Sequence, residues 1–394
     1  MNALSDSISF TECTDSRWDC VVIGAGCAGA VAARELARSD VRVLLVDKAQ
    51  FPRYKVCGCC IGRPVQSALA RIGLGSLLER EGAVATRKFD VRAGRQHATI
   101  PLPEYMVLSR ERLDAALVRE AVKSGASFLG GTHASLDTVQ DESRTVLLRN
   151  GDNVCRVQAS IVIIADGLGS RLLRATDDFD SPHSEYARIG MGAISLAAPT
   201  DYRPGTIYMA CAKAGYVGAC RREDGRLVLA AACDAAHIKM CGGLSHAAAQ
   251  ILENSNYAAI PDIHEISWKG TPALTRTATT LAARRAFVLG DAAGYVEPFT
   301  GEGMKWAMES AIALAPIARD ASVQYDARYE QDWIAARRRI VTQRTAVCRM
   351  LAASLRYPAL VKTALRVLSV APVAAAPFVR SLNAPPPAQK EVVL

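Results

Sequence analysis

The 394-residue sequence contains no stretch of about 18 uninterrupted apolar residues, the length a membrane-crossing helix needs. Its first 16 residues are polar and acidic rather than a positive cap on an apolar run, so neither a transmembrane helix nor a secretory leader is expected. Aromatic residues are sparse, at 6%, and there is no internal repeat and no low-complexity tract beyond the short proline run Ala384–Ala388. With half its residues hydrophobic and 22% charged, the composition excludes a disordered or fibrous chain. The length suggests roughly two to three domains of about 150 residues.

Charge of one sign is also missing locally. From Trp333 to Gln389 there is no Asp or Glu, while nine Arg and Lys fall in that stretch, so the net charge of +8 is a property of the C-terminal segment. These basic residues are interleaved with Leu, Val and Ala at helical spacing, broken by Pro358, Pro372 and Pro377. They do not form a polar arm with stacking aromatics, and nucleic acid is not the expected partner. Two readings of the tail stay open: a helical lid on the rest of the protein, or a basic apolar surface making peripheral membrane contact or admitting a lipid-like substrate. Nothing in the sequence sets an oligomeric state.

Twelve cysteines dispersed over a long chain without a leader point to reduced thiols and a cytoplasmic protein. The six histidines, His97, His133, His183, His237, His246 and His264, have no metal-ligand spacing, and no nucleophile elbow is present. One cysteine cluster stands apart. Cys57-Gly58-Cys59-Cys60 also reads as Cys-x-x-Cys, which elsewhere means dithiol chemistry or half a metal site; without a second half-site, no metal is expected.

What the sequence does contain begins at Asp19–Ile23, an apolar run of the buried-parallel-strand kind. It is followed by Gly24-Ala-Gly26-Cys27-Ala28-Gly29, an alanine-rich helical stretch to Ser39, and a second apolar run, Val41–Val46, ending in Asp47 and Lys48. In this strand, turn, helix, strand and acid, the first glycine permits the turn and the second lets phosphates approach the backbone. The third lets the helix pack on the sheet. The helix start offers free N–H groups to a pyrophosphate, and Asp47 can accept from ribose hydroxyls. Taken together, the pattern predicts a dinucleotide site. Downstream, Ser109 caps a predicted helix to about Gly125; Arg110 stands at its start, where a cation opposes the helix dipole, so another role is expected for it. Residues from about Ser181 to Trp268 alternate like strands with few helices. Parallel patterning then returns at Ala286–Gly290, before Thr300–Gly303 and a helix from Met304 to about Arg319.

Three separated motifs line up: Gly24-x-Gly26-x-x-Gly29 with Asp47; Asp166-Gly167-x-Gly169-Ser170; and Gly290-Asp291 with Pro298 and Gly301-Glu302-Gly303. Together they resemble the flavoproteins of the p-hydroxybenzoate hydroxylase class, and within it the geranylgeranyl reductase-like branch, over about Asp19 to Ala315. The resemblance implies an α/β fold. A Rossmann-like FAD-binding domain would span 17–88, 104–180 and 275–330; an inserted antiparallel β-sheet substrate domain, 89–103 and 181–274; and a C-terminal helical segment, 331–394. It implies that the first motif holds the ADP part of FAD, that Asp166 and Gly167 support the flavin site, and that Gly290-Asp291 takes the ribityl and pyrophosphate, while Gly301 and Gly303, opening into Met304, would leave backbone N–H groups for the electron-rich edge of the flavin. The stretch Phe51-Pro-Arg53-Tyr-Lys55-Val-Cys57-Gly58 is similar to one that approaches the flavin in the reductase-like branch. Arg53 and Lys55 would then offset flavin charge and Cys57 would face the ring.

Departures from the family matter as much. The Tyr-x-Trp-x-Phe-Pro substrate motif of prenyl reductases is replaced by Gly215-Tyr216-Val-Gly-Ala-Cys220-Arg221, and the Trp-x-Trp-x-Ile-Pro segment of flavin halogenases is absent. No second dinucleotide motif exists, so NAD(P)H is expected only as a transient reductant. The expected function is a monooxygenase hydroxylating a lipophilic aromatic or polyketide-like molecule through a flavin C4a-hydroperoxide. The alternative is a reductase of prenyl or conjugated C=C bonds, and a non-catalytic flavin-bearing protein is the third reading. Cys57, Glu297 and Tyr216 are the candidate catalytic residues, with Arg221 a further candidate for the substrate pocket.

Overall fold

The computed structural model describes residues 4–383 except 15, 177, 180–181, 183–186, 198, 298 and 300, and the backbone alone of 343, 344 and 382. Pro298 and the Ala384–Ala388 run therefore lie outside the described residues.

The first of two sheets is built on parallel strands in the order Ala286–Val288, Asn153–Ile164, Trp18–Ile23, Val43–Val46, Ser127–Leu129. The short strand Ala282–Ala283 adds an antiparallel edge, and the antiparallel ribbon His133–Val139 and Arg144–Asn150 is attached to Asn153–Ile164. Val43–Val46 is buried at every residue, as strands covered on both faces must be. On one face lie the helices Cys27–Ala37, Arg110–Lys123 and Glu302–Val323, around a core of Leu36, Leu45, Phe128, Leu289 and Met308.

The second sheet runs Lys269–Ala273, Ile189–Ser195, Leu227–Cys233, Gly215–Arg221, Thr206–Ala212, Val84–Ala93, Gln96–Val107, Cys60–Ile61. It departs from the expected insert in three ways. The strands Val84–Ala93 and Gln96–Val107 run past the limits set at 89 and 103, because the turn at Gly94 makes them one continuous hairpin. Thr206–Ala212 pairs parallel to Val84–Ala93, so the sheet is mixed rather than antiparallel; the chain passes through the first sheet between the two strands. Helices Ala235–Met240 and Leu244–Asn254 also stand in a region whose sequence reads as alternating strands with few helices.

Strand alternation gives this sheet two apolar faces. Tyr208, Val217 and Leu229 pack on the Leu244–Asn254 helix, while Met209 and Tyr216 face the tail. The tail consists of Arg328–Ser354, Pro358–Val370 and Ala376–Asn383. Its first helix is anchored by Trp333, which is fully buried and donates its indole N–H to the Val288 carbonyl at 3.1 Å. Pro358 opens the second helix, where its missing N–H costs nothing. Among the described residues, no helix is long and apolar enough to cross a membrane.

Candidate functional site

The strand Trp18–Ile23 ends at Gly24, whose φ of +105° and close approach to Ala165 (2.3 Å from a would-be Cβ to the carbonyl oxygen) exclude any side chain. At Gly29 a Cβ would fall 1.8 Å from the Gly24 oxygen, so the helix can seat on the turn only through glycine. Gly26 differs. Its φ is an ordinary −74°, and the nearest atoms to a Cβ are the tips of Arg53 at 3.5 Å and Arg110 at 3.8 Å. It precedes the helix Cys27–Ala37 without a side-chain cap, which leaves the first-turn N–H groups, including those of Cys27 and Ala28, to serve an anion. Asp47 orders this turn, accepting the Ala25 N–H at 2.8 Å and the Ala49 N–H at 2.9 Å. Lys48 is exposed, and its charge acts on Asp166.

The reason for Arg110 is Asp114, one turn further along the same helix. Arg110 forks onto that carboxylate at 2.9 and 2.8 Å, and Arg53 reaches it at 3.2 Å as well as Asp47 at 3.8 Å. Burial opposes ionisation of Asp114, but the two guanidiniums hold it below the usual carboxylate range. Asp114 was missed in the sequence, although the Arg–Asp spacing of four on a predicted helix was the available signal. Lys55 pairs with Asp291 at 3.3 Å on the opposite wall.

The cysteine stretch sits between these cations and the second sheet. The adjacent Cys59 side chain, with Arg110 and the Cys59 backbone N–H that donates to the Cys57 sulfur at 3.4 Å, holds the Cys57 thiol below its usual range against burial, while Cys59, whose thiol donates to the Cys57 carbonyl at 3.6 Å, is pushed up. Cys60 and Cys220 both donate to the Gly58 carbonyl, at 3.0 and 3.4 Å. The thiols therefore associate as Cys57 with Cys59 and Cys60 with Cys220, rather than as Cys-x-x-Cys. Cys27 donates to Asp114 at 3.2 Å, and burial pushes its thiol up. Among the described residues no disulfide joins any of the cysteines, and no set of three potential metal ligands assembles.

Gly290, at φ +66°, brings its loop so close to the glycine-turn helix that a Cβ would meet that of Ala28 at 2.8 Å. Gly301, at φ +72°, precedes the helix Glu302–Val323, again without a side-chain cap. Gly303 lies under the Tyr295 ring, Met304 lines the cavity, and Glu302 pairs with Lys305 at 3.2 Å. Asp166 accepts the Ser170 hydroxyl at 2.8 Å; burial raises its carboxyl, and Oδ1 is unpartnered. From that turn it is Gly167 and not Asp166 that lines the cavity.

The two uncapped helix starts open onto one continuous cavity of about 930 Å³. Its inner end carries Gly26, Arg110, Lys55, Cys57, Gly58, Asp291 and Gly301. Its outer part is apolar, with Val91, Ile100, Ile207, Met209 and Tyr216 on one side and Leu355, Val361, Leu365 and Leu368 of the tail on the other. The tail contribution was not predicted residue by residue. Tyr216 is buried, meets Phe299 edge-on at 5.1 Å, and has an unpartnered hydroxyl that burial keeps protonated.

Two expectations are corrected. Glu297 is not a free acid or base on the cavity: it accepts from Arg188 at 2.7 Å, in a pair exposed by only 5% and 0%, because a guanidinium entering the second sheet needs a counter-charge. Arg221 is likewise no pocket residue. Its guanidinium holds the Tyr202, Pro199 and Gly225 carbonyls.

A family model described as "FAD binding domain" matches residues 17–324. Digeranylgeranylglycerophospholipid reductase 2 of Methanothermobacter thermautotrophicus is 26% identical over 348 residues, which is 80% of this chain and 83% of that protein. Menaquinone reductase of Mycolicibacterium smegmatis is 33% identical over 171 residues, 41% of this chain and 40% of that protein; the chain spans under half the length of several such relatives. The solved structure of p-nitrophenol 4-monooxygenase from Pseudomonas putida superposes with a TM-score of 0.74 at 14% identity, over 93% of this chain and 98% of that one, which is a likeness of fold.

Proposed function

The chain belongs to the FAD binding domain family, and on that premise we propose that this FAD-dependent oxidoreductase is a monooxygenase that hydroxylates an electron-rich, lipophilic small molecule, with NAD(P)H as transient reductant. The residues fit the cofactor. The uncapped helix start behind Gly26, with Arg53 and Arg110, would take the pyrophosphate, and the uncapped start behind Gly301 would take the electron-rich edge of the ring system. Bound FAD supplies the redox and oxygen chemistry, and the chain supplies orientation, charge and exclusion of water.

The observation that carries the reading is the continuity of this cradle with an apolar chamber walled by the second sheet and the tail. A greasy substrate fills such a space and keeps solvent from the reacting face. Tyr216 offers a neutral hydroxyl donor at its wall, and Arg110 and Lys55 place positive charge beside the cradle.

A second reading, reduction of a conjugated or prenyl double bond, is favoured by the Cys57 thiol on the cavity wall and by the reductases among the sequence relatives. The deciding experiment gives the anaerobically reduced protein either ¹⁸O₂ with alkylated phenols or resorcinols, or a polyprenyl quinone without oxygen. One ¹⁸O in the ring of the product supports the monooxygenase. Rapid anaerobic reoxidation with a prenyl double bond of the quinone saturated in the product, and no oxygen incorporated from ¹⁸O₂, replaces it with the reductase.

A further inference from the structure

The chamber opens at the tail, and its mouth has an unusual surface. On the helix Pro358–Val370, Val361, Leu365 and Leu368 face inward, whereas Leu360 and Val367 line the chamber and are still 59% and 54% exposed. Beyond the mouth, Val370 and Val373 stand 87% and 76% exposed and line nothing. Lys362 and Arg366 lie on the flank opposite Leu360 and Val367 and are also exposed, as is Arg380 on the last helix. No acid occurs anywhere from Trp333 to Gln389.

We propose that the tail helices dock the protein on an anionic phospholipid bilayer, with Val370 and Val373 inserted among the headgroups and Lys362 and Arg366 on the lipid phosphates, so that the chamber mouth opens onto the membrane. Charge complementarity selects this occupant. A tail segment carrying only positive charge beside exposed valines matches the interfacial layer of a membrane, where apolar side chains and cations are taken up together. A second copy of the chain would bring the same unbalanced cations face to face. Delivery of a lipophilic substrate rests on the proposed function; the docking surface does not, and the two fail separately.

The test is flotation of the FAD-loaded protein with vesicles of phosphatidylcholine alone or with about one third phosphatidylglycerol. Binding to the anionic vesicles, weakened by salt, is expected, with Lys362→Glu/Arg366→Glu reducing it on the order of tenfold or more. Val370→Asp/Val373→Asp should abolish it while flavin content and turnover of a detergent-dispersed substrate stay unchanged. As a check independent of that double variant's folding, Val370→Trp should show blue-shifted emission quenched by brominated lipids. Absence of flotation, equal binding to neutral vesicles, a solvent-exposed indole at position 370, or a lipid-free dimer dissociated by Val370→Asp would each overturn the proposal.

Discussion

Removing Arg188 should cost more than removing its partner, and the difference should depend on pH. Glu297 is 5% exposed and has Arg188 as its hydrogen-bonding partner, at 2.7 Å. Arg188→Met would strand a buried carboxylate, which costs about 3–5 kcal/mol. Glu297→Gln leaves Arg188 less exposed to loss, because it keeps Asp234 at 3.4 Å and the Lys213 carbonyl at 3.1 Å. About 1.5–3 kcal/mol is expected there, the worth of one hydrogen bond to a charged group. Burial already pulls the Glu297 carboxyl upward, with Arg188 opposing it. Without Arg188 the folded-state pKa rises further above the unfolded one. A group raised in this way favours folding below its unfolded pKa and loses that stability as pH climbs toward the folded one. The Arg188→Met deficit should therefore shrink on acidification from pH 7.5 to 5.5, by up to about 1.4 kcal/mol per unit. Urea denaturation at both pH values, followed by circular dichroism, measures it. Equal costs for the two variants, or a deficit in Arg188→Met that does not change with pH, would refute the argument.

Three other outcomes follow from the site. Gly26→Val should leave the apoprotein folded but empty of flavin by absorbance, whereas Gly29→Ala, with 1.8 Å to the Gly24 oxygen, should fail to accumulate as folded protein. Cys57 should react with iodoacetamide at lower pH than an ordinary thiol in the apoprotein, and Cys59→Ala, which removes the adjacent thiol, should move the midpoint upward; an unshifted profile would dismiss the thiol pair. Trp333→Ala should destabilise the protein by about 3–5 kcal/mol in urea, because it removes a fully buried indole as well as its bond to Val288.

The cradle was legible in the sequence because each of its parts is local. Gly24, Gly26 and Gly29 declare a turn within six residues, and Gly301 and Gly303 declare a helix start. What was not legible depends on distance along the chain. Arg188 and Glu297 lie 109 residues apart, so the nearness of Glu297 to the glycine loop suggested a catalytic role where the fold makes a buried ion pair. Cys220 meets Cys60 at the Gly58 carbonyl only because a strand of the second sheet is laid beside the loop 57–60. Asp114 is the intermediate case, visible from its spacing to Arg110 had the unfavourable placement of that cation been pursued. The hairpin boundaries at 89 and 103 failed because polar and charged residues on one face of a long strand read like a domain edge.

The tail walls the outer chamber yet lies wholly beyond residue 324, where the family match stops. The tail's share of the chamber wall and the glycine turns of the cradle are thus written in separate stretches of the gene, whereas the second sheet's share, Val91 to Tyr216, lies inside the match. Single-residue drift in Val361, Leu365 or Leu368 can reshape what the enzyme accepts without disturbing Gly26, Arg110 or Asp291. On the proposed function, a library confined to the tail would vary one wall of the chamber while leaving the glycine turns of the cradle unchanged.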